Sequence, residues 1–340
     1  MPEKTQASNF AWGTGETRHF YELTPDIILD AAERSGIRCN GRCMALNSME
    51  NRVFELGIET QTEPDNPSAA FRIAKFYRPG RWTKKQILDE HRFLLDLQAE
   101  EIPAIAPLHF ATGETVQLLP DHNIWFTIFP RAGGRNPDEL SDEQLKIIGR
   151  LLARIHIVGS RAQADARIKI DPESYGIQNL DFLYQEEWIE PDFENQYCDL
   201  VEEICMLSKP WFEAADCQRI HGDAHLGNLL YGRQGFYWVD FDDMLRGPCV
   251  QDIWLLTPGR EAESLRQRNV LLQAYEMLKP FDYATLRLVE PLRALRFIHF
   301  SAWIAKRWED PWFPEKFPDF GTRNYWQEQV QDLYECLNIM

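Results

Sequence analysis

Residues 219 to 243 read RIHGDAHLGNLLYGRQGFYWVDFDD, and seven of these side chains, His221, Asp223, His225, Asn228, Asp240, Asp242 and Asp243, can hold a metal or a proton. Their types divide between two chemistries. Mg²⁺ takes hard oxygen ligands such as a carboxylate and an amide oxygen, and Asp240 and Asn228 supply one of each. A separate carboxylate can accept or orient the proton of an attacking hydroxyl, and Asp223 fits that task. His221 reads as a structural histidine bonded to backbone and His225 as one that orients the loop. Asp242 and Asp243 could assist metal binding, but a solvated or loop-bracing role is the first reading.

Two β-prone runs must position these groups. LLYG and FYWVDF flank the turn Gly232-Arg233-Gln234-Gly235, which predicts a hairpin. Asn228 precedes its first strand and Asp240 ends its second, so the hairpin brings together residues twelve apart in sequence. Asp223 and Asn228 are five apart, the spacing of Asp and Asn in the protein-kinase catalytic loop, and Asp240-Phe241-Asp242 takes the place of the D-F-G tripeptide.

Upstream, residues 24–36 predict a short helix with Thr24 as cap, and runs at 51–60 and 70–78 predict two strands joined through Glu63-Pro64-Asp65-Asn66-Pro67. The strand period of two puts Lys75 on one face with Phe71, Ile73 and Tyr77, and taken alone it reads as a lysine snorkelling from an edge. Thr83 and Gln86 form a capping box for a helix over 83–98, in which Glu90 shares a stripe with Ile87, Leu94 and Leu97. A carboxylate so placed needs a cation or reaches water at the margin. IAPLHF, ETVQLLP and NIWFTIFP suggest further antiparallel strands. FPRAGGRNP, near 129–137, is the expected hinge. A second capping box, Ser141 and Gln144, opens a mostly helical remainder, with helices expected near 195–215, 261–279, 288–307 and 324–338. Strands with one helix, a hinge, then helices make an α+β, two-lobed chain.

HGDAHLGN followed by VDFDD resembles the motif of the aminoglycoside and choline phosphotransferase superfamily, relatives of the eukaryotic-like protein kinases. Longer stretches, including LNSMENRVFEL, AKFYRPGRWTKKQILDEH, FPRAGGR and EPLRALRFIHFSAWIAKRWEDPWFPEKFP, are similar in the same order to a bacterial stress-response family of Ser/Thr protein kinases. The resemblance covers most of residues 22 to 330. It implies a bilobal kinase-like fold: an extension over 1–20, a nucleotide-binding N-lobe over 21–133 and a C-lobe over 134–340 with the catalytic loop. It also implies ATP as co-substrate, Mg²⁺ as cofactor, and a protein Ser or Thr hydroxyl as acceptor, the chain's own hydroxyls included. Carried over residue by residue, Asp223 becomes the proton acceptor, Asn228 and Asp240 the Mg²⁺ ligands, Lys75 the lysine on the nucleotide phosphates, Glu90 its partner and Ser48 an ATP contact. LNSMENRVFEL departs from the protein-kinase pattern in having no glycine. Backbone N–H groups, the Ser48 hydroxyl and Asn51 are then the candidates for meeting the phosphates.

Composition narrows the alternatives. The chain has 340 residues, and 36 Lys plus Arg against 53 Asp plus Glu give a formal charge of −17, which argues against a nucleic-acid partner. Seven scattered cysteines without a CxxC pair, no signal-peptide pattern and no long apolar run lead to the expectation of a cytoplasmic protein outside the membrane. A metallophosphoesterase lacks ligands, since Asp89-Glu90-His91 is the one upstream Asp-x-His and lies in a helical stretch. A small-molecule kinase on the same fold differs in its acceptor alone. A non-catalytic nucleotide-binding protein is disfavoured because Lys75, Asp223, Asn228 and Asp240 are all present. FDDMLRGPCVQDIW, from Phe241 onward, holds neither Ser nor Thr, so switching by phosphorylation there is not expected.

Overall fold

A computed structural model describes residues 23–60 and 66–340. The expected extension over 1–20 and the Glu63-Pro64-Asp65 portion of the expected turn lie outside the described residues. The chain begins with α1 (Pro25–Arg34), whose first turn is capped by the Thr24 hydroxyl, followed by β1 (Cys39–Ala45), β2 (Arg52–Ile58), β3 (Phe71–Phe76) and α2 (Lys84–Ala99). β4 (Gln117–Leu119) and β5 (Ile124–Pro130) complete a five-stranded sheet of order β1-β2-β3-β5-β4, with antiparallel neighbours throughout. Its inner face buries Leu56, Ala74, Phe76, Phe126 and Ile128 against Ile28 of α1.

IAPLHF is not a strand. Pro107 has no N–H to give a ladder, and the segment instead runs extended beside β5, with Leu108 N–H donating to the Ile128 carbonyl at 2.8 Å.

Beyond β5 come α3 (Asp142–Gly159), α4 (Gln178–Gln185) and α5 (Glu194–Ala214). β6 (Gln218–Ile220) then leads into the loop of interest, and β7 (Leu229–Gly232) and β8 (Gly235–Trp238) form the expected hairpin. β9 (Leu245–Gly247), a strand the sequence did not announce, returns to pair with β6. The chain ends with α6 (Val250–Trp254), α7 (Ala262–Tyr275), α8 (Val289–Lys306), α9 (Trp312–Lys316) and α10 (Arg323–Ile339). Both capping boxes form as read, Thr83 with Gln86 and Ser141 with Gln144. The helical part has its own core, in which Leu152, Ile155, Leu272, Leu295 and Ile298 are fully buried. A β-rich lobe and a helical lobe therefore each carry a core.

The segment after β5 is tied to the hairpin of the helical lobe. Arg135 and Tyr231 exchange backbone hydrogen bonds at 3.1 and 2.8 Å, and the Tyr237 hydroxyl donates to the Gly133 carbonyl at 2.6 Å.

Candidate active site

A cavity of about 650 Å³ lies where the sheet, the hairpin and α8 meet. Ser48, Lys75, Glu90, Asp223, Asn228 and Asp240 all line it. Six residues chosen from sequence across 193 positions thus share one cleft.

Lys75 does not snorkel. It is 6% exposed, held inward by β3 between β2 and β5, where it is paired in register with Val53 and Thr127. Its Nζ lies 3.7 Å from Glu90 Oε1, 3.3 Å from Asp240 Oδ1 and 2.9 Å from Asp242 Oδ1. Burial disfavours the ammonium, but the Asp242, Glu90 and Asp240 carboxylates outweigh it and raise the pKa well above the ordinary lysine value. Glu90, 1% exposed on the apolar stripe of α2, feels burial more than its cation and is pushed up to about 7.

Asp242 is not solvated but takes the bracing role, the other of the two expected for it. It is 3% exposed, bonded through Oδ2 to Arg81 Nη1 at 2.6 Å and Asn51 Nδ2 at 3.1 Å. Asn51 is committed at its other end too, accepting the Arg78 N–H on Oδ1 at 3.2 Å, so it braces the site rather than presenting its amide to phosphates. Asp240 sits at φ 58°, ψ 63°, a left-handed conformation uncommon for a residue with a Cβ. That backbone turn lets Asp240 face the cleft while Asp242, two residues on, turns into the protein.

The loop carrying Asp223 is held from below. Asp252, fully buried on α6, accepts the N–H of His221 through Oδ2 at 2.8 Å and that of Gly222 through Oδ1 at 2.8 Å, and also meets His156 Nε2 at 3.0 Å. Gly222 has φ +84°, and a Cβ there would lie 2.3 Å from the Asp243 carbonyl oxygen, so the loop needs glycine at this point. His221 bridges backbone as expected, with Nδ1 accepting the Asp223 N–H at 3.3 Å and Nε2 bonded to the Val239 carbonyl at 3.0 Å. His225 accepts the Gly227 N–H on Nδ1 at 2.9 Å and places Nε2 3.2 Å from Asp223 Oδ2.

Asn228 donates its Nδ2 to the Asp223 carbonyl at 3.0 Å and to Asp223 Oδ2 at 3.2 Å. With the NH₂ committed, the amide oxygen is the end left to meet a cation. Asp223 Oδ1 accepts from Arg296 Nη1 at 2.9 Å. Burial would raise the Asp223 pKa, yet the His225 hydrogen bond and the Arg296 charge hold it well below the usual carboxylate range.

Ser48 is exposed on the loop between β1 and β2, at the rim of the cleft. Two residues on, Glu50 anchors that loop to the helical lobe, with Oε1 meeting Arg307 Nη2 at 2.7 Å and Oε2 accepting from Trp303 Nε1 at 2.7 Å, while Oε1 also meets Arg78 Nε of the β-rich lobe at 3.3 Å. Burial acts to raise the Glu50 pKa, but the guanidiniums of Arg307, Arg81 and Arg78 prevail and lower it to about 2. At the other end Val53, Ile73, Phe129, Leu230 and Val239 make apolar walls.

Sequence reasoning passed over Glu50, Arg81, Asp252 and Arg296. Arg81 and Glu50 sit in stretches without periodic pattern. Asp252 carried a signal, as a charged residue within the apolar run VQDIWLL, where a carboxylate needs donors.

The phosphotransferase enzyme family matches residues 45–289, about three quarters of the described chain's length, and the chain belongs to that family. It is 37% identical to stress response kinase A of Escherichia coli (strain K12) over 322 residues, covering 94% of both chains. It is 35% identical, with the same coverage, to serine/threonine protein kinase RdoA of Salmonella typhimurium (strain LT2). Among solved structures it is similar to an amicoumacin kinase in complex with AMP-PNP, Ca²⁺ and amicoumacin, at TM-score 0.71 and 18% identity, covering 95% of this chain and 96% of that one. The fold is therefore the bilobal one of this family, and the chain is a phosphotransferase. Among the described residues no helix is long and apolar enough to cross a membrane.

Proposed function

We propose that this chain is a cytoplasmic, ATP- and Mg²⁺-dependent kinase that transfers the γ-phosphate to Ser or Thr hydroxyls of proteins, its own included, as part of a bacterial stress response. The observation that carries the reading is the convergence of three functions on one cavity: a buried ammonium at Lys75, a carboxylate and amide oxygen at Asp240 and Asn228, and a second carboxylate at Asp223. Phosphoryl transfer asks for those three and little else. The names and coverage of the relatives at 35–37% identity support a protein acceptor and a stress context.

The adenine would lie against the apolar end near residues 129–134, with the phosphates toward Lys75 and Ser48. Asn228 and Asp240 would hold a Mg²⁺ ion, and the chemistry it would supply is neutralisation of charge developing on the phosphates. Asp223 orients the acceptor hydroxyl and takes its proton as the oxygen bonds to the γ-phosphorus. Its depressed pKa suits a late proton transfer better than an early one.

Transfer of labelled γ-phosphate from Mg-ATP tests the reading, with wild type and Asp223→Asn side by side, a generic protein in one tube and an aminoglycoside mixture in another. Label on Ser or Thr of the protein, reduced about 10² to 10⁴-fold in the variant, is the expected result. Label on the small molecules alone moves the chain to a metabolite or antibiotic kinase, and full activity of Asp223→Asn removes Asp223 from the mechanism.

A further inference from the structure

Asp223 is bonded on both carboxylate oxygens before any acceptor arrives. Oδ2 is met by Asn228 Nδ2 and His225 Nε2, each at 3.2 Å, and Oδ1 by Arg296 Nη1 at 2.9 Å. The three donors are held differently. Asn228 and His225 belong to the same short loop as Asp223, and the Gly227 N–H pins His225 further. Arg296 reaches over from α8 with its side chain 45% exposed, and among the described residues Asp223 is the one carboxylate it pairs with.

The other Lys and Arg side chains lining the cleft are committed. Lys75 is shared among Glu90, Asp240 and Asp242, and Arg81, 5% exposed, among Glu50, Asp242 and Asp243. Arg296 is thus the described cation lining the cleft that can change partners, because Asp223 keeps Asn228 and His225 when it leaves. One turn along α8, Phe300, 43% exposed, stacks on Trp303 with ring centroids 5.6 Å apart and planes 19° apart. Positions 296, 300 and 303 share one helix face, so a guanidinium and a flat apolar shelf stand side by side.

Resting on the protein-kinase reading above, we infer that Arg296 is a specificity residue that selects acceptors bearing an anionic group beside the reacting hydroxyl: a Ser or Thr next to Asp, Glu or a phosphorylated residue. On binding, the guanidinium exchanges the Asp223 carboxylate for the acceptor's anion, a charge-assisted pair that Arg makes bidentately. The exchange frees Oδ1 to take the hydroxyl proton while the hydroxyl oxygen bonds to the γ-phosphorus and the bond to the ADP oxygen breaks. A cationic acceptor finds no equivalent welcome, because Asp240 serves the metal and Asp243 is held by Arg81.

The test compares Ser/Thr peptide sets that differ solely in the neighbouring residue: Asp or Glu, phosphoserine, Ala, and Lys or Arg. Each is offered with Mg-ATP to wild type, Arg296→Gln, Arg296→Lys and Arg296→Glu, and the readout is the ratio of kcat/KM between peptides. Wild type is expected to favour the anionic peptides over the Ala peptide by about tenfold, the worth of one good charge-assisted pair. In Arg296→Gln that ratio collapses to near one, in Arg296→Lys it is partly kept, and in Arg296→Glu it inverts toward the Lys and Arg peptides. The carboxylate and phosphate arms show which anion is the better partner. A ratio that is unity in wild type, or that survives in Arg296→Gln while rates fall equally on all peptides, overturns the inference and leaves Arg296 as a brace of Asp223. If wild type labels no peptide of any set but does label a small molecule, the protein-kinase reading itself fails and takes the inference with it.

Discussion

Lys75 Nζ lies closer to Asp242 than to its expected partner Glu90 or to Asp240, 2.9 Å against 3.7 Å for Glu90 and 3.3 Å for Asp240. Asp242 is also the carboxylate of Arg81. One buried acid is therefore shared by two buried cations. Asp242→Asn removes the charge from both pairs at once and is expected to cost about 3 kcal/mol, the scale for breaking a buried ion pair. A urea unfolding midpoint unchanged from wild type, with equal slope, would sink this account.

Glu90 makes stability and pairing depend on pH in opposite senses. Its pKa, about 7 in the folded chain against 4.5 unfolded, means the folded state holds more protons between those values. Stability contributed by this group is therefore present at pH 4.5 and is lost as pH rises through 7. The ionised partner of Lys75, by contrast, forms as pH rises through the same window. Stability, followed by unfolding from pH 5 to 8, is expected to fall less steeply with pH in Glu90→Gln than in wild type, while Asp243, pushed up to about 6, and His91 and His299, lowered to about 3, contribute equally to both proteins. An identical slope in both proteins would assign it elsewhere.

Gly222→Ala puts a methyl group against the Asp243 carbonyl at a left-handed position. The loop must shift, and a shift of about 1 Å in Asp223 costs on the order of 10²-fold in rate. Turnover is the measurement, with thermal unfolding run beside it. A variant as active as wild type would show that the loop tolerates the displacement.

Asp252→Ala strips the acceptor from the His221 and Gly222 N–H groups and from His156, all buried. A loss of about 3–5 kcal/mol is expected. Hydrogen exchange locates the effect: the amides of 221 and 222 are expected to lose protection beyond the global change, and uniform loss would deny Asp252 its specific role.

Local pattern was enough to reveal much of this molecule. The capping boxes at Thr83 and Ser141, the Glu90 stripe and the hairpin are all written in neighbours three or four apart, or in alternation; the first three form as read, and the hairpin forms with its second strand ending at Trp238, two residues short of Asp240. What sequence hid depends on distance. Asp242 is bonded to Asn51, 191 positions away, and Glu50 to Trp303, 253 away. No local spacing marks such pairs. IAPLHF misled because apolar content outweighed the donor missing at Pro107, and β9 was hidden because three residues are too few to show a period.

Glu50 joins the loop carrying Ser48 to the same helix that carries Arg296 and the aromatic shelf. On the proposed function, nucleotide and acceptor would meet opposite ends of one mechanical connection. Were acceptor binding to tighten α8, Glu50 would carry the change to the loop of Ser48, and linkage would make the effect reciprocal: ATP would raise acceptor affinity by the factor by which acceptor raises ATP affinity. The order in which the two bind then matters less than their cooperation, and a chain cut loose at Glu50 should bind each as though the other were absent.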